Sequence, residues 1–197
     1  DQKNKSNLFK YENFLHKRYK IKFNKNYSKL HDWSIKNPEK FWNSIWDFSK
    51  VKGKKNEKFY KSKELFKNRF FINSKLNFAE NLLSRKDNSK AITFINENGY
   101  KEIRKWNELN LNVGKISFYL KKINIKEKDR VAAYLPNLIE TVESFLATVS
   151  IGAIWSSCSP DFGVNGVIER FAQIKPKVLI LCDRYYYNGK HINVIDR

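Results

Sequence analysis

Three short apolar runs, Val131 to Leu135, Ala153 to Cys158 and Val178 to Cys182, are separated by two stretches of helical periodicity. The first run is stopped by Pro136 and reads as a buried strand. Behind it, Leu138, Val142, Phe145, Leu146 and Val149 recur at the spacing of one helix face, and Asn137 with Glu140 approximates a capping box. Val167, Ile168, Phe171 and Ile174 mark a second helix face that ends before Pro176. Strand, helix, strand, helix, strand with short connections is the pattern of a parallel sheet covered by helices on both faces. The expected fold class is therefore α/β.

The residues ahead of this pattern divide in two. Ala91 to Ile95 is an apolar run with β-branched residues, Asn98-Gly99 predicts a hairpin turn because both tolerate positive φ, and Tyr100 to Trp106 predicts the return strand. From Asn107 a helix carries Leu109, Val113, Ile116 and Leu120 on one face. The earlier part reads as helical. Leu8, Tyr11, Leu15 and Tyr19 predict a basic helix lying on its own protein, and Asn37-Pro38-Glu39 is a helix start with Asn37 as cap. Phe41, Trp42, Ile45 and Trp46 then share a face, which predicts core packing rather than a base-stacking platform. Val51 to Lys58 is a Gly/Lys/Asn loop, and Lys75 to Leu83 a short apolar-faced helix. The polar segment Ser84 to Lys90 sets the expected division into residues 1–88, a helical region, and 89–197, the beginning of the sheet domain.

The charge is basic, +19, and concentrated in the first half. A surplus of this size suggests a phosphate-neutralising surface. Only eight of the 39 basic residues are arginine, however, and lysine is the poorer residue for bidentate recognition of phosphates or bases. The surplus is expected to be solvated surface charge, with no nucleic-acid and no membrane partner. No apolar run approaches the roughly 18–20 residues of a membrane span. The two cysteines, Cys158 and Cys182, fit a reduced cytoplasmic protein better than a disulfide scaffold. The chain opens on Asp1 and contains no Met, so the recorded sequence is expected to begin inside its reading frame.

Motifs of catalysis are sparse. The sequence has no GxxxxGK[ST] loop, no GxGxxG, no HExxH and no CxxC, and His16, His31 and His191 have no partner at metal-ligand spacing. No metal site is expected. The dense polar constellation is Ser156-Ser157-Cys158-Ser159-Pro160-Asp161-Phe162-Gly163, which follows a strand and precedes a helix. That position is the carboxyl edge of the sheet, where open α/β folds bind ligands. Two readings stand side by side: a pocket edge formed by its hydroxyls, Asp161 and Gly163, or a plain turn in which Asp161 helps start the next helix. Nothing in the sequence positions a group to activate Cys158 as a nucleophile.

Several of these segments resemble a known family. Trp33-Ser34 with Phe41-Trp42, and Leu76-Asn77-Phe78-Ala79-Glu80-Asn81-Leu82-Leu83, resemble the amino-terminal region of acyl-CoA synthetases of the acetyl-CoA synthetase type. Asp129-Arg130-Val131, then Leu135-Pro136-Asn137 and Glu140, resemble the opening of an adenylate-forming domain, here incomplete. The run from Ala147 to Trp155, continued through Ser156 to Gly163, is similar to the acetoacetyl-CoA synthetase version, where the acetate and propionate types show a His, a Ser and a Gly-rich stretch. Arg170-Phe171, Gln173-Ile174, Pro176 to Ile180 and Tyr187-Asn188-Gly189-Lys190 also fit.

The resemblance implies a ligase that activates acetoacetate with ATP and Mg²⁺ to an acyl-adenylate and passes it to coenzyme A, releasing AMP and pyrophosphate. It implies that Ser159, Pro160, Asp161, Phe162 and Gly163 lie near the pantetheine passage, with Trp155 shaping an acyl or CoA-side surface. It also implies that Gly189 and Lys190 lie close to the CoA nucleotide phosphate; an ordinary surface lysine is the alternative for Lys190, and Tyr187 stands where the family usually has Arg. The family's phosphate loop, ribose-binding acid, adenylation lysine and mobile carboxyl-terminal domain would all lie beyond Arg197. Residues 1–197 alone are thus expected to be an amino-terminal fragment that neither catalyses the overall reaction nor folds well, because the sheet ends on an open edge.

Overall fold

A computed structural model describes residues 6–196, the side chain of Leu65 excepted. The chain forms two compact units, residues 1–76 and 77–197, so packing divides it ahead of the polar segment after Leu83.

The first unit is helical. Helix α1 (Asn7–Tyr19) starts at Ser6, whose hydroxyl accepts from Phe9 N at 3.2 Å. Helix α2 (Tyr27–Lys36) is capped by Asn26, and α3 (Pro38–Phe48) begins at the expected proline. Asn37 does not cap α3 through its side chain. Its Nδ2 instead donates to Trp33 O at 3.1 Å and closes the end of α2. Tyr11, Leu15, Phe23 and Leu30 form a core joined by Trp33, Phe41, Ile45 and Phe48. Trp46 packs on Phe71 with ring centroids 4.9 Å apart, so three of the four aromatic-face residues are core as expected. Trp42 is the exception: it is 42% exposed beside Phe70. At the end of α3, burial alone would raise the Asp47 carboxyl. Hydrogen bonds from Lys55 (2.8 Å) and Arg18 outweigh it and hold the group below the ordinary carboxylate range.

The second unit carries the sheet. Helix α4 (Phe78–Leu82) packs on a later helix, and Asn77 serves both: its Oδ1 accepts from Glu80 N at 3.1 Å while its Nδ2 donates to Val149 O at 2.8 Å. Strands β1 (Lys90–Ile95) and β2 (Lys101–Lys105) form the expected antiparallel hairpin. Its turn is not a two-residue Asn98-Gly99 loop. Residues 96–100 make a longer loop in which only Gly99 takes a left-handed φ, +80°, and Asn96 binds Tyr100 through both backbone and side chain. Then follow α5 (Trp106–Lys122), β3 (Arg130–Tyr134), α6 (Ile139–Ser150), β4 (Ile154–Cys158), α7 (Val164–Ile174) and β5 (Val178–Leu181). A last hairpin joins β6 (Arg184–Tyr187) to β7 (Lys190–Asn193).

Strands β4, β3 and β5 lie in that order, all parallel, with Val131 opposite both Trp155 and Val178. The expected helix-covered parallel sheet is present. Side-chain alternation along β3 sends Val131 into a cluster with Leu109, Val113, Leu120 and Leu146 from α5 and α6. It sends Ala132 and Tyr134 the other way, toward Phe171 of α7. The two helices that connect the strands therefore cover opposite faces. Helix α6 ends in a Schellman turn: Gly152 N bonds Val149 O at 3.1 Å and Ala153 N bonds Thr148 O at 3.2 Å. Gly152 sits at φ +76°, and a Cβ there would lie 2.9 Å from Glu127 Cγ. Gly152→Ala should cost about 1–2 kcal/mol of stability, read from denaturant unfolding of the intact protein.

Candidate functional site

The connection from β3 to β4 steps to a neighbouring position through α6. The connection from β4 to β5 then steps back across β3 through α7, on the other face. The chain leaving β3 and the chain leaving β4 thus diverge, and a crevice opens at their carboxyl ends. Such a topological switch point is where open α/β sheets bind ligands.

The structure has a cleft there of about 530 Å³. Pro136, Asn137 and Leu138 supply one wall, following β3, and Ser159 and Asp161 supply another, following β4. The β1–β2 hairpin contributes Phe94, Glu97 and Tyr100, and β6 contributes Arg184 and three consecutive tyrosines, Tyr185 to Tyr187. The lining is aromatic with few charges, as is usual of pockets that take a large organic ligand and orient it with a handful of polar groups.

The wall after β4 is held from below. Tyr134, buried at the last position of β3, brings its hydroxyl within 2.8 Å of Pro160 O and 2.9 Å of Phe162 O, and donates to one of them at a time. Ser159 Oγ donates to Asp161 Oδ2 at 2.7 Å, and Tyr185 Oη donates to Asp161 Oδ1 at 3.0 Å. Asp161 is therefore a bracket between this loop and β6. It does not start α7: Gly163 is the cap residue, with no side-chain hydrogen bond to the helix. Likewise α6 begins after Leu138, so Asn137 and Glu140 form no capping box; Thr141 Oγ1 donates to Pro136 O at 2.7 Å in that turn. Asn137 lies one residue ahead of the Leu138 cap and lines the cleft.

The expected site residues fall into three places. Ser159, Pro160, Asp161, Phe162 and Gly163 form one connected turn, of which Ser159 and Asp161 line the cleft while Pro160 is fully buried. Phe162 is exposed beneath the Arg170 guanidinium, 4.3 Å from the ring centroid. Trp155 lies elsewhere: β4 turns it toward α6, where its ring meets Phe145 at 6.1 Å within the first core cluster. Gly189 and Lys190 sit at the β6–β7 turn, exposed, next to the tyrosines of the cleft wall. Cys158 is buried in the second core cluster, and burial pushes the Cys182 thiol up, so neither cysteine is poised as a nucleophile.

Sequence reasoning missed the β6–β7 hairpin and with it Arg184 and Tyr185. The signal was present: Asn188-Gly189 is flanked by β-forming residues, and here both residues do take left-handed φ, +51° and +74°. Glu97 and Tyr134 had no comparable signal, since each matters only through a partner distant in sequence.

A family model described as AMP-binding enzyme matches residues 80–196, and one described as acetyl-coenzyme A synthetase N-terminus matches residues 27–82. The chain is 44% identical over 169 residues to the acetoacetyl-coenzyme A synthetase of Rhizobium meliloti (strain 1021), which covers 85% of this chain and 26% of that protein. It is 45% identical over 170 residues to the acetoacetyl-CoA synthetase of Xenopus tropicalis, covering 84% and 25%. Among solved structures it is similar to the acetoacetyl-CoA synthetase from Streptomyces lividans, with a TM-score of 0.85 and 28% identity over 95% of this chain and 30% of that one. The chain thus spans about a quarter of the length of the curated relatives it matches.

Proposed function

Because the chain belongs to the AMP-binding enzyme family, we propose that it serves an acetoacetate–CoA ligase and contributes the surface on which coenzyme A is held. The full reaction activates acetoacetate with ATP as an acyl-adenylate, with release of pyrophosphate, and the CoA thiol then displaces AMP. The observation that carries this reading is the cleft at the β3/β4 switch point, in a chain 44% identical to an acetoacetyl-CoA synthetase. In functional terms we divide the chain at 1–88 and 89–197, with the cleft wholly in the second part.

Within that cleft, the tyrosine-rich β6 wall and the Ser159–Gly163 turn offer apolar and hydroxyl surface along which a long flexible ligand arm can lie. The turn at Gly189 and Lys190 offers a backbone amide and an ammonium, the donors a terminal phosphate needs. Trp155 is assigned a supporting role from behind β4. The chemistry of the adenylation step is assigned to no residue of this chain. Mg²⁺ would neutralise the phosphates of ATP; among the described residues no group of three His, Cys, Asp or Glu side chains is placed to hold a metal. Nor, among the described residues, is any helix long and apolar enough to cross a membrane. We place the protein in the cytoplasm with small-molecule partners only.

The test is a pair of measurements on the intact protein. Acetoacetate-dependent pyrophosphate release should be observed, and its absence in favour of acetate-dependent release would overturn the acyl assignment. Lys190→Ala should weaken CoA binding by about tenfold, the worth of one charge-assisted contact, and leave dephospho-CoA binding unchanged. An equal effect on both ligands would remove Lys190 from the phosphate site.

A further inference from the structure

The β6–β7 turn and the β1–β2 hairpin meet across the mouth of the cleft. Tyr187 pairs with Lys190, leaving Asn188-Gly189 as a two-residue loop. The amide of Gly189 faces outward and donates to Glu97 Oε1 at 3.2 Å, across 92 positions of sequence. Glu97 is presented by a well-held tip: Asn96 N donates to Tyr100 O at 3.0 Å, Tyr100 N donates to Asn96 Oδ1 at 2.8 Å, and Gly99 N donates to Asn96 O at 3.2 Å. The hairpin thus fixes the backbone from which Glu97, itself exposed, reaches this amide.

A carboxylate oxygen accepting from an outward turn amide makes the same contact that a phosphate oxygen would make. Lys190, next in sequence to Gly189 and exposed, adds a positive charge beside the turn that favours an anion there, internal or external. We infer that Glu97 is a built-in competitor for the anion position at Gly189, a residue that must be displaced before a ligand phosphate can engage the turn. The inference rests on the reading that Gly189 and Lys190 receive the nucleotide phosphate of CoA. Two consequences follow from the geometry. Glu97 lowers the affinity for a phosphorylated ligand by occupying its donor and by adding a like charge nearby. Displacing it also uncouples the β1–β2 hairpin, which carries Phe94 and Tyr100 of the cleft wall, from the β6–β7 turn.

Calorimetric titration of the intact protein with CoA and with dephospho-CoA, for wild type and Glu97→Gln, separates the possibilities. The glutamine keeps the size and a weak acceptor but loses the charge. It should bind CoA about three- to tenfold more tightly, the range of one exposed like-charge repulsion and one lost competitor, with dephospho-CoA unchanged. Weaker CoA binding, or an equal change for both ligands, would overturn the inference and make Glu97 a plain wall residue. If wild type binds neither ligand, the CoA reading itself fails. The competitor role is then judged with inorganic phosphate alone, by hydrogen exchange of the segment 184–193. Protection that is stronger in Glu97→Gln than in wild type upholds it, and equal protection overturns it.

Discussion

Replacing Glu143 with alanine should lower the unfolding free energy of the intact protein by about 2–3 kcal/mol, the loss expected when one partner of a mostly buried charge pair is removed. Glu143 lies on α6, buried, with its Oε1 receiving Asn112 Nδ2 from α5 and lying 2.8 Å from Arg104 Nε on β2. The Arg104 contact is an ion pair too far off line to count as a hydrogen bond. Without the carboxylate, Arg104 would keep Glu102 at 3.1 Å and the more distant Glu140 at 3.7 Å, which is why the expected loss is below that of a fully buried pair. The same substitution loosens the anchor of the β1–β2 hairpin, so the cleft wall bearing Phe94 and Tyr100 should show faster hydrogen exchange.

Glutamine at this position is predicted to behave differently, and with a pH dependence. Burial pushes the Glu143 carboxyl up, against the opposing effects of Asn112 and Arg104. For an acid whose pKa is raised by folding, the unfolded chain releases the proton first. The stability it contributes is complete below the ordinary glutamate range, near pH 4, and is lost as pH rises through the raised value. Glu143→Gln carries no such penalty. The melting-temperature advantage of wild type over Glu143→Gln should therefore shrink as pH rises from about 4 toward neutrality. A gap that widens with pH would show that the ion pair with Arg104 outweighs burial.

Tyr134→Phe is the second large effect and acts on the cleft directly. The substitution preserves the ring that packs against the α7 face but removes a donor shared by Pro160 O and Phe162 O. Leaving those carbonyls without it should cost about 1–2 kcal/mol. Because Ser159 and Asp161 stand on the same turn, the loss should appear as mobility of one cleft wall. CoA affinity is expected to fall by about tenfold, measured by calorimetry, with the melting temperature reduced only modestly. Unchanged affinity would mean that the Ser159–Asp161 and Tyr185–Asp161 bonds hold the turn without help from below.

The site was legible in part, and the parts follow a physical line. Ser159 and Asp161 could be placed because a polar run between an apolar strand and an amphipathic helix must sit at a sheet edge. What Asp161 does there could not be read, since its partner Tyr185 belongs to a hairpin that lies beyond the next strand. The proposed cap at Asn37 shows the same limit on a smaller scale. Its amide can cap the helix after it or close the helix before it, and the structure takes the second course.

Periodicity and punctuation determined the kinds of elements. Runs of β-branched residues, stripes at helical spacing, Pro136 and Pro176 are local signals, and the strands and helices they mark are present where they predicted. The order β4-β3-β5 is not local. It follows from both faces of β3 being apolar, so that its flanking helices can pack only on opposite sides of the sheet. That arrangement opened a crevice between two loops, turned Trp155 inward, and brought Glu97 onto the Gly189 amide. Such contacts between residues far apart in sequence leave no trace in either segment, because each side chain satisfies its neighbours' spacing whether or not the distant partner arrives.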